Sequence, residues 1–194
     1  MNTVPNDQED TSEVTVPQPN AFLELIRSLS INDKLDELRK LEKNSVFVAG
    51  RLALAGQITV FFASPNVGKT LITLHLIGEA VANGTIGEHV YHINLDDTLS
   101  GLIQKTDLGN THGYRVFSPD EFMNPNVDFS ALVDGLVEEG VANETVFILD
   151  TIKKFVDPMD KKASSAFMDT CRKLTTRGGT IIALAHTNKN TDPD

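Results

Sequence analysis

The sequence has one cysteine, Cys171, in 194 residues. A single thiol excludes an internal disulfide and any metal site built from several cysteines. It suits a reducing compartment such as the cytoplasm, and Cys171 itself reads as a small buried apolar residue. Positive charge is also scarce: 17 Lys/Arg stand against 27 Asp/Glu, a net charge of −10. That balance argues against a protein that binds nucleic acid indiscriminately. The deficit is uneven, however. Residues 1–150 carry nine Lys/Arg against 22 Asp/Glu, whereas residues 151–194 carry eight against five, so a local basic surface is compatible with an acidic whole.

The first twenty residues contain no Lys or Arg and no apolar run, so no secretory signal is read there. Their acidic composition, rich in Pro, Asn, Gln and Thr, predicts a disordered tail over 1–20. One stretch approaches transmembrane length with little charge: Ser45 to Ala63, 19 residues with Arg51 its single charge. Its glycines, Gln57 and β-rich end argue against a spanning helix, and no membrane association is expected. His75, His89, His92 and His112 show no metal-ligand spacing and receive no role. No internal repeat is found.

What is present begins with helical spacing. Leu23, Ile26 and Leu29, then Leu35, Leu38 and Leu41, predict two short helices, an N-terminal appendage over 21–44 that either packs on the rest or docks on a neighbouring subunit. Ser30 or Asn32 would cap the second. From residue 45 a larger domain is expected, to Asp194. QITVFFA, HVYHIN, YRVFS, TVFILD and TIIALAH read as strands. Between them KTLITLHLIGEAVANG, TLSGLIQKTDLG, FSALVDGLVEEG and KASSAFMDTCRKLTTRGG read as helices, with Asp128 capping the third. Apolar strands alternating with helices predict an α/β fold, a mostly parallel sheet covered on both faces.

Residues 58–70, ITVFFASPNVGKT, carry the chemistry. Gly68-Lys69-Thr70 fits the end of the pattern G-x-x-x-x-G-K-[ST], and it follows a strand and opens a helix, as a phosphate-binding loop requires. Ala63 stands where the first glycine belongs. That position is where the strand leaves the sheet, and alanine fits there at negative φ. Ser64, Pro65, Asn66, Val67, Gly68, Lys69, Thr70 and Leu71 are the expected nucleotide-binding residues. Backbone N–H groups of 66–70 would point into a concavity at a helix N-terminus, the natural seat of anionic oxygens. Lys69 would reach the terminal phosphates of ATP, and the Thr70 hydroxyl would ligate Mg²⁺.

Three strand ends complete the expected site, since ligands of such sheets bind beyond the carboxyl ends of the strands. Asp150, ending TVFILD, would hold Mg²⁺ through water. Asp96 and Asp97 follow the second strand. Asp96 is taken as the residue that positions or deprotonates the attacking water, and Asp97 as the cap of the next helix. His186, ending TIIALAH, would sense the γ-phosphate.

Four stretches, ASPNVGKT, INLDD, VFILDT and ALAHTNK, resemble the RecA-like ATPases, most closely the RepA and DnaB replicative helicase branch, also described as AAA-family ATPases. The resemblance spans residues 57–189. It implies a ring or filament of identical subunits, with ATP between them and its hydrolysis driving movement on single-stranded nucleic acid. It matches Asp96 to the catalytic acid, Asp150 to the magnesium-site acid and His186 to the sensor. The family acid is usually glutamate, so Asp96 is one methylene short. Further strands normally follow and supply an arginine or lysine finger to the neighbouring site. No residue here matches that finger, so the domain is read as incomplete at its C-terminal end.

In such rings the loop after the magnesium-site strand faces the channel. Lys153, Lys154, Lys161 and Lys162 would contact phosphates there, with Phe155 either stacking on a base or packing inward. Arg172, Lys173 and Arg177 read as a solvated helix face. Two rivals stand beside the ATPase. One is a module that binds nucleotide and changes assembly with little turnover, suggested by the Asp-for-Glu change and the missing finger. The other is a small-molecule kinase, ranked last because no arginine-rich lid is visible.

Overall fold

Val146-Phe147-Ile148-Leu149 is an uninterrupted apolar run with every residue buried. A strand alternates its side chains, so such a run is stable only where both faces of a sheet are covered. Val146 and Ile148 enter one apolar cluster and Phe147 and Leu149 the other. The computed structural model describes residues 19–43, 45–87, 89–122 and 128–187. They fall into two units that divide at residue 44.

The first unit contains helix α1 (Pro19–Leu29), a 3-10 turn at Asn32–Lys34 and helix α2 (Leu35–Lys43). Pro19 and Asn20, placed in the tail by composition, begin α1; residues 1–18 lie outside the described residues. Neither Ser30 nor Asn32 caps α2 by side chain. Ser30 instead accepts from the Asn32 amide at 3.3 Å. Phe22, Leu23, Leu25, Ile26 and Leu29 are exposed along α1.

The second unit opens with a small antiparallel hairpin, β1 (Phe47–Ala49) and β2 (Ala53–Leu54). Then follow β3 (Ile58–Ala63), α3 (Lys69–Ala82), β4 (Val90–Asn94), α4 (Leu99–His112), β5 (Arg115–Phe117), the short α5 (Pro119–Phe122), α6 (Phe129–Glu138), β6 (Val146–Asp150), α7 (Lys161–Thr175) and β7 (Thr180–His186). The sheet has the order β3-β7-β6-β4-β5, and every pairing is parallel. This is the α/β sheet that the alternating pattern predicts. Among the described residues no helix is long and apolar enough to cross a membrane.

The two faces have different covers. Leu74 and Ile77 of α3, Leu108 of α4 and Val48, Ala49 and Ala53 of the hairpin lie on the Val146 side. Phe129 and Val133 of α6 and Cys171 and Leu174 of α7 lie on the Phe147 side. Burial pushes the Cys171 thiol up to about 12, so it is an inert core group. At Gly78 a Cβ would lie 2.7 Å from Cγ of His112, so glycine lets the His112 ring lie against α3. Asp128 caps α6 by accepting from the Ser130 amide.

Phe155 packs inward. Its ring lies 6.0 Å from Phe129 at 71° and 6.3 Å from Phe167. Of the two roles open to Phe155, the structure shows the packing one: the half-buried ring lies edge-to-face on Phe129 against the core. Lys161 and Lys162 belong to the first turn of α7, with Asp160 accepting from the amides of Lys162 and Ala163, while Lys153 and Lys154 sit in a 3-10 turn at Ile152–Lys154.

Candidate functional site

Strand periodicity decides which polar groups meet. On β6 the residues 146, 148 and 150 share the α3 side; on β4 so do 90, 92 and 94; on β7 so do 182, 184 and 186. His92, Asn94, Asp150 and His186 are therefore aimed at one face before any tertiary detail is considered. Registers then align them, because Asn94 pairs with Asp150 in β4–β6 and Ala63 with His186 in β3–β7.

β3 ends at Ala63, which keeps a negative φ, as alanine there requires. The chain turns through Ser64–Gly68, where Asn66 takes φ +61° and Gly68 φ +84°. Both lie in the left-handed region; Gly68 is the N-cap of α3, a position where a Cβ would be strained. Left-handed Asn66 was not foreseen, although asparagine tolerates that conformation better than most residues. α3 then begins with Lys69, whose side chain is buried at the sheet edge.

A cleft of about 500 Å³ opens over this turn. Asn66, Gly68, Lys69, Thr70, Leu71, Asp96, Asp150 and His186 all line it. Ser64, Pro65 and Val67 do not. The Ser64 hydroxyl lies 3.4 Å from that of Thr187, and Pro65 faces a second cleft of about 940 Å³ together with Phe62, Lys153 and Val156. Asn188 and Lys189 of the HTNK stretch lie outside the described residues.

Within the cleft the Thr70 hydroxyl donates to Asp150 Oδ2 at 2.9 Å. Lys69 Nζ lies 3.3 Å from Nδ1 of His186, so Nδ1 accepts and the ring proton resides on Nε2, which faces Asp96 Oδ2 at 3.9 Å. Burial lowers the His186 pKa and the Lys69 and Lys153 ammoniums lower it further, against Asp96 and Asp150, so the ring is neutral at pH 7. Asp96 also meets Lys154 Nζ at 3.5 Å. Lys154 is thus drawn toward the cleft as well as toward solvent, a partner the spacing did not suggest.

Three residues of the site have no role in the sequence reading, and a fourth, Asp97, has a different one. His92, fully buried, brings Nε2 to 3.5 Å from Asp150 Oδ2, and neither ring nitrogen makes a hydrogen bond of good geometry. Lys105 of α4 reaches Asp97 at 2.6 Å and Asp150 at 3.4 Å. Asn94 donates to Asp97 Oδ2 at 3.1 Å. Asp97, expected to cap α4, is corrected: Thr98 is the N-cap, accepting from the Gly101 amide. The pull of Lys105 and Asn94 turns the Asp97 carboxylate into the cleft, and a Cβ at Gly101 would overlap it. The other histidines have ordinary settings: His75 faces Glu79, His89 faces Glu144, and His112 stacks on Tyr114.

These contacts set the charge states. Burial alone would raise the Asp150 carboxyl, but His92, Lys105 and Thr70 outweigh it and hold the group at about 2. Asp97 is likewise held below its usual range, burial being overcome by Lys105 and Asn94. For His92 desolvation dominates and lowers the pKa despite the adjacent carboxylate, so it sits beside Asp150 as a neutral ring.

Asp150 and the Thr70 hydroxyl form a hard-oxygen pair of the kind Mg²⁺ takes when substrate phosphates complete its shell. Among the described residues no group of three His, Cys, Asp or Glu forms a metal cage. A cation here would therefore depend on oxygens brought by a ligand. Comparison with protein-family models and with curated proteins finds no match.

Proposed function

We propose that this cleft binds Mg·ATP and hydrolyses it, and that the second unit is a RecA-like phosphate-loop ATPase domain. One observation carries the reading: Lys69 and Thr70, from a glycine-led helix N-terminus, meet His186 at 3.3 Å and Asp150 at 2.9 Å on the carboxyl edge of a parallel sheet. Amides and the helix dipole favour an anion at that edge, and Lys69 adds a full positive charge. The strand order contributes, because β7 lies between β3 and β6 and so sets His186 between Lys69 and Asp150.

Thr70 and Asp150 would hold Mg²⁺, which when bound neutralises charge on the terminal phosphates. Asp150, ionised throughout the physiological range, needs no proton loss to serve. Asp96 orients a water for attack on the γ-phosphorus and takes its proton; the bond from the γ-phosphorus to the bridging oxygen breaks, giving ADP and phosphate. Neutral His186 offers Nε2–H to a γ-phosphate oxygen while its Nδ1 stays with Lys69.

The resemblance extends the proposal to a replicative-helicase type of motor, assembled as a ring or filament on single-stranded nucleic acid. The exposed Lys153, Lys161 and Lys162 would supply phosphate contacts. A second reading, a nucleotide-dependent assembly module with little turnover, is favoured by two features: no arginine among the described residues lines the cleft, and Asp96 is shared with Lys154. Phosphate release with and without single-stranded DNA decides between them, with Lys69→Ala as control. DNA-stimulated release lost in Lys69→Ala supports the motor. Tight ATP binding without release above background supports the module.

A further inference from the structure

Lys105 has no part in the chemistry above, yet it sits inside the cleft with its side chain only 14% exposed. Its ammonium lies 2.6 Å from Asp97 Oδ2 and 3.4 Å from Asp150 Oδ2. That Asp150 oxygen is the one to which Thr70 donates at 2.9 Å. A divalent ion shared by Thr70 and Asp150 would thus come close to an ammonium group, in a partly desolvated cleft where like charges repel strongly. Both cations compete for one carboxylate.

We propose that Lys105 is a tethered stand-in for the divalent ion. It neutralises Asp150 in the nucleotide-free protein and yields that carboxylate when Mg·ATP enters, retreating to Asp97 and to the incoming phosphates. The inference rests on reading the cleft as a Mg·ATP site. Three features fit the role. Asp97 gives the lysine a second carboxylate of its own, so leaving Asp150 does not strand a buried ammonium. Asn94 fixes Asp97 from the neighbouring strand end at 3.1 Å. Gly101 leaves the space that the Asp97 carboxylate fills. The consequence is an order of entry: the free protein resists bare Mg²⁺, and the ion gains Asp150 only together with phosphates that can receive Lys105.

The test is the Mg²⁺ concentration required for half-maximal affinity of a ribose-labelled fluorescent ATP analogue, measured by anisotropy on the full chain. Lys105→Gln removes the competitor and is expected to lower that requirement by about tenfold. Asp97→Asn removes the retreat and is expected to raise it by about threefold. Lys105→Arg keeps a cation and is expected to stay near the wild-type requirement. A purely structural ion pair would weaken nucleotide binding in both neutralising variants at every Mg²⁺ concentration without moving the requirement in opposite directions. The inference is overturned alone if wild type binds the analogue but the requirement is unmoved in Lys105→Gln, or shifts the same way in both variants. It falls with the underlying reading if wild type binds no analogue at saturating Mg²⁺.

Discussion

Replacing His92 with glutamine tests the electrostatics beneath the site. The imidazole is fully buried, 3.5 Å from Asp150, and desolvation lowers its pKa from the ordinary 6.5. The sign follows from linkage. The unfolded chain takes up a proton at His92 as the pH falls through 6.5, and the folded protein does not until lower pH. Stability tied to a neutral His92 is therefore fully present above pH 6.5 and lost as the pH falls toward the folded value. One proton bound only by the unfolded state gives a slope of about 1.4 kcal/mol per pH unit. That slope applies between pH 6.5 and the folded value and vanishes below it. Glutamine keeps a polar donor but does not titrate. Urea unfolding at several pH values between 8 and 5, followed by far-UV circular dichroism because the chain has no tryptophan, gives the two stability curves. The other four histidines are common to both proteins and cancel to first order. The difference should be flat above pH 7 and tilt against wild type below 6.5. Parallel curves, or wild type gaining on the variant in acid, would refute the reasoning, because His92 would then stand beside Asp150 as an imidazolium.

Asp96→Asn should reduce phosphate release by about 10²–10⁴-fold while nucleotide still binds, since the carboxylate's proton acceptance is lost together with its pairing to Lys154; comparing release with fluorescent-nucleotide binding checks this. Leu174→Ala, at a fully buried position of α7, should cost about 3 kcal/mol in urea unfolding. Phe155→Ala should cost about 2 kcal/mol through the Phe129–Phe167 cluster and leave the affinity for any single-stranded DNA unchanged, because the ring packs inward and is not spent on stacking a base.

The parts of the site legible in the sequence are those set by local rules. A glycine-led helix start marks Lys69 and Thr70, and period-two alternation aims Asp150 and His186 at the same side of the sheet. His92 and Asn94 obey that same alternation and were within reach. His92 was passed over because it was weighed as a metal ligand rather than as a buried neighbour of Asp150. Lys105 was not legible: its contact with Asp150 spans 45 positions and depends on how α4 lies over the sheet edge. The cap assignment went astray because Asp97 and Thr98 are both good caps; Thr98 takes the position, while the Asp97 carboxylate lies against Gly101 and pairs with Lys105 of the same helix. The β1–β2 hairpin was missed because its strands are three and two residues long, too short for any period to register. Phe155 beside four lysines looks like a nucleic-acid contact in one dimension, and its packing against the core emerges only once α6 and α7 bring Phe129 and Phe167 to it.

The central claim is that the turn ending in Gly68-Lys69-Thr70 receives a triphosphate. Calorimetric titration of the full chain with Mg·ATP measures this directly, with Lys69→Ala alongside. Saturable binding of one nucleotide per chain is predicted, weakened about tenfold to a hundredfold when the Lys69 ammonium is removed. Absence of binding heat at any temperature tried, or equal affinity in both proteins, would contradict it.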